Sequence, residues 1–186
     1  GTDPVLKGQP GLCQRNYIYS VRAPQVVTIG MRAIHASLFD TPPFTLEIMG
    51  CLDRLPSQVA QTGILMIKRT NGNTETSYSF GIGSNGSNPN KPYWTVFNGP
   101  VGKDSIVGLQ AFSIGEPFHL AATLSGSDPR TLGLYVNGVA QVPTTTTTGP
   151  YTAGVASFLY FMSGVASERF VGRALPAAVY NKVLSD

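Results

Sequence analysis

The chain carries ten acidic side chains and two histidines from which acid–base chemistry could be built. Glu47, Asp53, Glu75, Asp104, Glu116, Asp128 and Glu168 all stand far from one another in sequence. A retaining glycosidase needs two carboxyl groups about 5 Å apart across the sugar bond, and no single strand here can present such a pair. Only folding could bring together two of Glu47, Glu75, Glu116 and Glu168. His35 and His119 are isolated, and His119 alternates with Phe118 and Leu120, a setting where histidine more often satisfies a local hydrogen bond than performs catalysis. Nucleophile elbows, His-Glu-x-x-His pairs, Cys-x-x-Cys pairs and the EF-hand pattern are all missing. The motifs therefore nominate no catalytic residue and no metal ligands.

Sugar binding asks for less: an aromatic plane against the C–H face of a pyranose, with amides or charged groups for its hydroxyls. Tyr93-Trp94 follows the polar run Ser84-Asn85-Gly86-Ser87-Asn88-Pro89-Asn90, and Asn98-Gly99-Pro100 follows Phe97. In an extended segment Tyr93 and Phe97 share one face while Trp94 and Val96 share the other. One pair must be core. Burial of Trp94 is one outcome, since tryptophan is commonly mostly buried; the other leaves it exposed beside Asn90 and Asn98. The candidate carbohydrate-binding residues are thus Tyr93, Trp94, Asn90 and Asn98.

These residues must be positioned by strands. Short β-type runs separated by Gly, Pro, Asn and Ser recur along nearly the whole length, and no segment carries a helical period. Tyr17 to Arg22, Val26 to Met31 and Ile34 to Phe39 open the chain. Phe44, Leu46 and Ile48 share one face of the next strand. Gly63 to Lys68 and Ser157 to Met162 are apolar on both faces, and the first reads as a central strand covered on both sides or lying beneath a loop. Tyr78, Phe80 and Ile82 alternate with Ser77, Ser79 and Gly81. Phe118, Leu120, Ala122 and Leu124 share one face, as do Leu132, Leu134 and Val136, and Asn137-Gly138 makes a hairpin return because both tolerate positive φ. Thr144 to Thr148 reads as a short extended connection, and Ala177 to Val183 as the last strand. With 186 residues, 42% of them hydrophobic, and no linker, the chain is expected to be one domain, 1–186, built as an all-β, two-sheet antiparallel sandwich of the jelly-roll kind.

Charged residues amount to only 12%, so much of the surface is Ser, Thr, Asn, Gln and Gly. The net charge of +3 is scattered, with only Lys68 and Arg69 adjacent and the other basic residues spread from Lys7 to Lys182, which argues against nucleic acid. The longest apolar run stops at Lys68, so membrane insertion is not expected. The first residues lack the regions of a signal peptide. Cys13 and Cys51 either pair or remain buried thiols, since spacing alone does not supply the separation a disulfide requires.

Glu116-Pro-Phe-His-Leu-Ala-Ala-Thr-Leu-Ser-Gly126 followed by Leu132-Gly-Leu-Tyr-Val-Asn-Gly-Val139 resembles the central hairpin of laminin G-like domains in the concanavalin A-like lectin/glucanase superfamily. Phe44 to Met49, Gly63 to Arg69 and Tyr78 to Asn85 resemble the strands before it. Phe170-Val-Gly-Arg-Ala-Leu175 and Val179-Tyr-Asn-Lys-Val-Leu-Ser185 resemble the closing motif, in which a strand passes near the start of the chain. Phe118 stands where many relatives have Trp, and residues 1–40 match no quotable pattern.

The resemblance implies a concanavalin A-like sandwich and a non-catalytic carbohydrate-binding or adhesion module, because the Glu-x-Asp-x-Glu type strand of the superfamily's glucanases is missing. It implies a glycan or surface-protein partner and an extracellular or surface-associated setting. No cofactor is required, although some laminin G-like domains hold calcium at a rim, for which Asp53, Asp104 or Asp128 could serve. The alternatives are a structural or protein-interaction domain of a cell-surface or virion appendage, and a divergent glycosidase.

Overall fold

The computed structural model describes residues 18–19, 31–33, 41–70, 76–84, 88–97, 103–126, 129–141, 145–147, 151, 157–162, 168, 170–175 and 177–184. They form two antiparallel sheets. The first carries, in spatial order, β1 (Ile18–Tyr19), β13 (Gly172–Ala174), β3 (Phe44–Leu52), β8 (Pro117–Ser125), β9 (Arg130–Val136) and β10 (Val139–Ala140); β14 (Ala178–Tyr180) also pairs with β3, and β11 (Thr145–Thr147) with β9. The second carries β2 (Met31–Ala33), β12 (Ser157–Phe161), β4 (Gly63–Thr70), β5 (Thr76–Ile82), β6 (Pro92–Phe97) and β7 (Lys103–Val107). The single described helix, α1 (Pro56–Val59), is one turn. This is the sandwich that the alternation predicts.

Each sheet turns one face inward. From the first come Phe44, Leu46, Ile48, Phe118, Leu120, Ala122, Leu124, Leu132 and Leu134; from the second come Leu65, Met66, Tyr78, Phe80, Ile82, Trp94, Val96, Ile106 and Leu159. Removing each leucine, isoleucine, valine, methionine or phenylalanine of this set from water contributes about 1.5–3 kcal/mol, which is what holds the sheets face to face. Phe44, Leu46, Leu120 and Leu134 sit in this one core as expected, while Val136, at the end of β9, packs against it only partly buried. Phe118 is buried, stacking on Phe112 with centroids 4.8 Å apart and meeting Phe170 edge-on.

The hairpin after β9 turns at Asn137 and Gly138, both with positive φ, as their types require. Near the C-terminus β13 pairs β1 on one side and β3 on the other, so the closing strand does pass beside the start of the chain. β14 is shorter than the Ala177 to Val183 run suggests. Beyond it the chain is held by Thr45, whose Oγ1 donates to the carbonyl of Lys182 and accepts from the amide of Leu184. Of the opening segments, Ile18–Tyr19 and Met31–Ala33 are strands, and the remainder of Tyr17 to Arg22, Val26 to Met31 and Ile34 to Phe39 lies outside the described residues. Cys51 is buried in β3, and Cys13 lies outside the described residues.

Candidate functional site

The outward face of the second sheet carries a hollow of about 340 Å³. Strand register builds it. Thr95 of β6 pairs with Ser79 of β5 on one side and Ser105 of β7 on the other, which sets three hydroxyls in a row across the sheet. The Thr95 and Ser105 hydroxyls lie 2.8 Å apart, and the Tyr93 hydroxyl lies 2.9 Å from that of Ser79. Tyr93 and Phe97, two positions either side of Thr95 on the same face, are half-buried and line the hollow. Their neighbours Trp94 and Val96 point the other way, into the core.

A bulge in β4 completes the floor. The register shifts between Ile64 and Met66, so Leu65 and Met66 both join the core while Ile64 and Ile67 line the hollow. Gly81, paired with Tyr93 and Ile64, permits this approach: a Cβ there would lie 2.4 Å from the carbonyl oxygen of Gly63. At one rim the chain between β5 and β6 folds back, with the Gly83 amide donating to Lys91 and the Asn90 amide donating to Gly83. That return aims Asn88 and Lys91 at the hollow. At the far end Lys103, paired with Phe97, is exposed.

Glu168 is the one carboxylate among the described residues lining the hollow, and it accepts a 2.8 Å hydrogen bond from Arg69. The Arg69 guanidinium also lies over the Tyr160 ring, 5.5 Å from its centroid. Burial raises the Tyr93 hydroxyl well above its usual range, with Glu168 acting in the same direction and the Ser79 hydrogen bond and Arg69 opposing. Tyr93 is therefore a neutral hydrogen-bonding group near neutral pH.

The sequence-predicted set is divided by the fold. Tyr93 lies in the hollow. Trp94 does not: it exposes none of its surface and donates its Nε1–H to the Thr123 carbonyl at 3.1 Å, so it packs the two sheets together and cannot face a sugar. Asn90 stands outside the lining, its side-chain oxygen accepting from the Ser57 amide and its backbone carbonyl from Phe112, which makes it the tie that holds the rim. Asn98 lies outside the described residues. Ser79, Thr95, Phe97 and Ser105 are not among the sequence-predicted site residues: alternation leaves open whether the Tyr93 and Phe97 face is outward, and only strand pairing brings the four together.

The remaining polar candidates lie elsewhere. Glu47, outward on the first sheet, holds His119 at 2.6 Å, the local hydrogen bond that the alternation suggests, and also bonds Tyr180, whose hydroxyl it raises above its usual range. Glu47 and Glu168 thus occupy opposite outer faces of the sandwich. Glu116 is exposed in the turn before β8, and Glu75 and His35 lie outside the described residues. Asp53 accepts from Arg173 at 2.9 Å and Asp104 from Arg130 at 3.2 Å, so each of these rim carboxylates already faces a guanidinium; Asp128 lies outside the described residues. No three His, Cys, Asp or Glu side chains gather to hold a metal among the described residues.

The laminin G model of the concanavalin A-like lectin/glucanases superfamily matches residues 33–186, and the chain belongs to that superfamily. No curated protein matches it in sequence. Among solved structures it is similar to domain 4 of AbnA, an extracellular arabinanase from Geobacillus stearothermophilus, in complex with arabinotriose: TM-score 0.58, 14% identity, over 84% of this chain and 68% of that one. It is also similar to the binding domain of Paraclostridial mosquitocidal protein 1, with TM-score 0.57 and 14% identity over 87% of this chain and 43% of that one. The heptameric SAP-like pentraxin from Limulus polyphemus gives TM-score 0.54 and 15% identity over 77% of this chain; the match spans 65% of the pentraxin chain. At these identities the likeness is one of fold.

Proposed function

We propose that this chain is a lectin-like, non-catalytic carbohydrate-binding module that lays a glycan along the hollow of its second sheet. The observation that carries this is the pairing of two half-buried aromatics, Tyr93 and Phe97, with the hydroxyl row Ser79, Thr95 and Ser105 on one outward face. Rings of this kind take the C–H face of a pyranose, and the hydroxyls meet those of the sugar. The complex of the arabinanase domain with arabinotriose supports placing a sugar on this fold. Catalysis is not part of the proposal, because the lone carboxylate in the described lining is held by Arg69 and lacks the partner a glycosidase requires. Neither a metal nor a cofactor is needed, and the setting is extracellular or surface-associated.

A glycan array with the purified chain tests this, followed by titration of the strongest hits. Phe97→Ala should abolish binding while costing only about 1 kcal/mol of stability, so the chain stays folded. Silence across a broad array, or affinity untouched by both Phe97→Ala and Tyr93→Ala, would overturn it. The second reading, a protein-interaction domain, would then gain ground. It is favoured by Leu109, Ile114 and Val139, which are all exposed, with Leu109 tied to the Val139 turn through the Gln141 side chain.

A further inference from the structure

Among the described residues, the charges that line the hollow do not balance. Lys91 and Lys103 both line it, and neither is engaged by a carboxylate among the described residues. The one acidic group in the described lining, Glu168, is neutralised by Arg69 at 2.8 Å. The two ammonium groups sit at opposite ends: Lys91 precedes Pro92, where β6 begins, and Lys103 pairs with Phe97, where β6 ends. Six residues of extended chain separate these positions, roughly 20 Å. Tyr93 and Phe97 lie between them. We infer that the hollow selects an acidic oligosaccharide, one bearing carboxylate or sulfate groups, whose anions meet Lys91 at one end and Lys103 at the other while its rings rest on the two aromatics. This rests on the glycan-binding function proposed above and adds the ligand's charge and its elongated form.

The physical expectation is selectivity in place of high affinity. Both lysines keep water around them, so each contact to a sugar anion is worth about threefold in binding and the pair about tenfold. The preference must also weaken with salt, because such contacts are screened over a distance that shrinks from about 14 Å at 0.05 M to about 4 Å at 0.5 M ionic strength. A ring of the same shape without the anion gains none of this.

The test is calorimetric titration of the purified chain with three tetrasaccharides of one length: galactose, galacturonate and sulfated galactose. Both acidic ligands should bind about tenfold tighter than the neutral one at about 0.05 M salt and lose most of that margin at about 0.5 M. If only one of them does, the anion is assigned accordingly as carboxylate or sulfate, and the inference stands. In K91Q/K103Q the ratio of acidic to neutral affinity should fall close to one. The control R54Q/K182Q removes the same charge from exposed positions outside the hollow and should keep the ratio. Equal or tighter binding of the neutral sugar, or a preference that survives K91Q/K103Q, overturns the inference while leaving glycan binding intact. Competition by inorganic tripolyphosphate as effective as by the acidic sugars would also overturn it, since charge alone would then be read. No binding of any of the three, joined to a silent array, removes the glycan function itself.

Discussion

Replacing Trp94 and Phe97 one at a time separates what folds this chain from what it binds with. The two residues are three positions apart on one strand and point to opposite faces. Trp94 exposes 0% of its surface and has the rings of Tyr78, Phe80 and Phe44 at 5.4, 6.1 and 6.3 Å. Truncating a buried tryptophan to alanine costs about 3–5 kcal/mol through lost transfer energy and the cavity left behind. Losing the bond to Thr123 adds about 1 kcal/mol. A domain's whole stability is about 5–15 kcal/mol, so Trp94→Ala should lose a large share of it. Phe97 is half-buried on the outer face, and Phe97→Ala should cost about 1 kcal/mol. The assay is urea unfolding followed by far-ultraviolet circular dichroism, since removing the one tryptophan abolishes its fluorescence. Trp94→Phe, which keeps a ring in the core, should retain the fold and bind glycan normally. An unchanged midpoint for Trp94→Ala with loss of glycan binding would refute the inward placement of Trp94 and with it the register of β6.

Other outcomes follow from single groups. Asp104→Ala should cost about 2–3 kcal/mol by leaving the fully buried Arg130 without its main counter-charge, and the double variant Arg130→Met with Asp104→Leu should recover most of that; equal midpoints for the single variant and the parent would contradict the pair's role. Burial pushes the Lys68 ammonium down to about 8 from 10.5, so between these values the unfolded chain holds a proton the folded chain has shed and stability rises with pH. Burial, then Tyr151, raises the Tyr78 hydroxyl well above 10.0, so above that pH the unfolded chain ionises first and stability falls. Urea midpoints from neutral pH upward should therefore climb and then drop, and a monotonic fall would contradict the Lys68 shift. Incubation with β-glucans, galactans and sialylated oligosaccharides should yield no product by mass; turnover removed by Glu168→Gln would restore the glycosidase alternative.

The fold was legible because its information is local. Alternation along Phe44 to Ile48, Phe118 to Leu124 and Leu132 to Val136 assigns inner and outer faces without any knowledge of neighbours, and Asn137-Gly138 names its own turn. The apolar run Gly63 to Lys68 marks a covered strand, and β4 does lie between β12 and β5. The site was legible only in part, because it depends on pairing between strands distant in sequence. Alternation separated Tyr93 and Phe97 from Trp94 and Val96 but left open which pair was core, and the core proved to be Trp94's. Asn90 drew attention as an amide beside an aromatic, yet its oxygen is consumed by Ser57 of the helix turn. Ser79, Thr95 and Ser105 carry no motif at all; they form a row because three strands align in one register. The β4 bulge, which supplies the floor, is likewise a property of pairing and invisible in a run of five apolar residues.

The most direct test of the central claim is where a bound glycan perturbs the chain. Backbone amide resonances should be followed by NMR as the oligosaccharide with the strongest array signal is added. The account predicts shifts concentrated on Ser79, Tyr93, Thr95, Phe97 and Ser105, fading across the core to nothing at Glu47 and His119 on the opposite face. Shifts centred on Glu47 and His119, or on Leu109 and Val139, would contradict it.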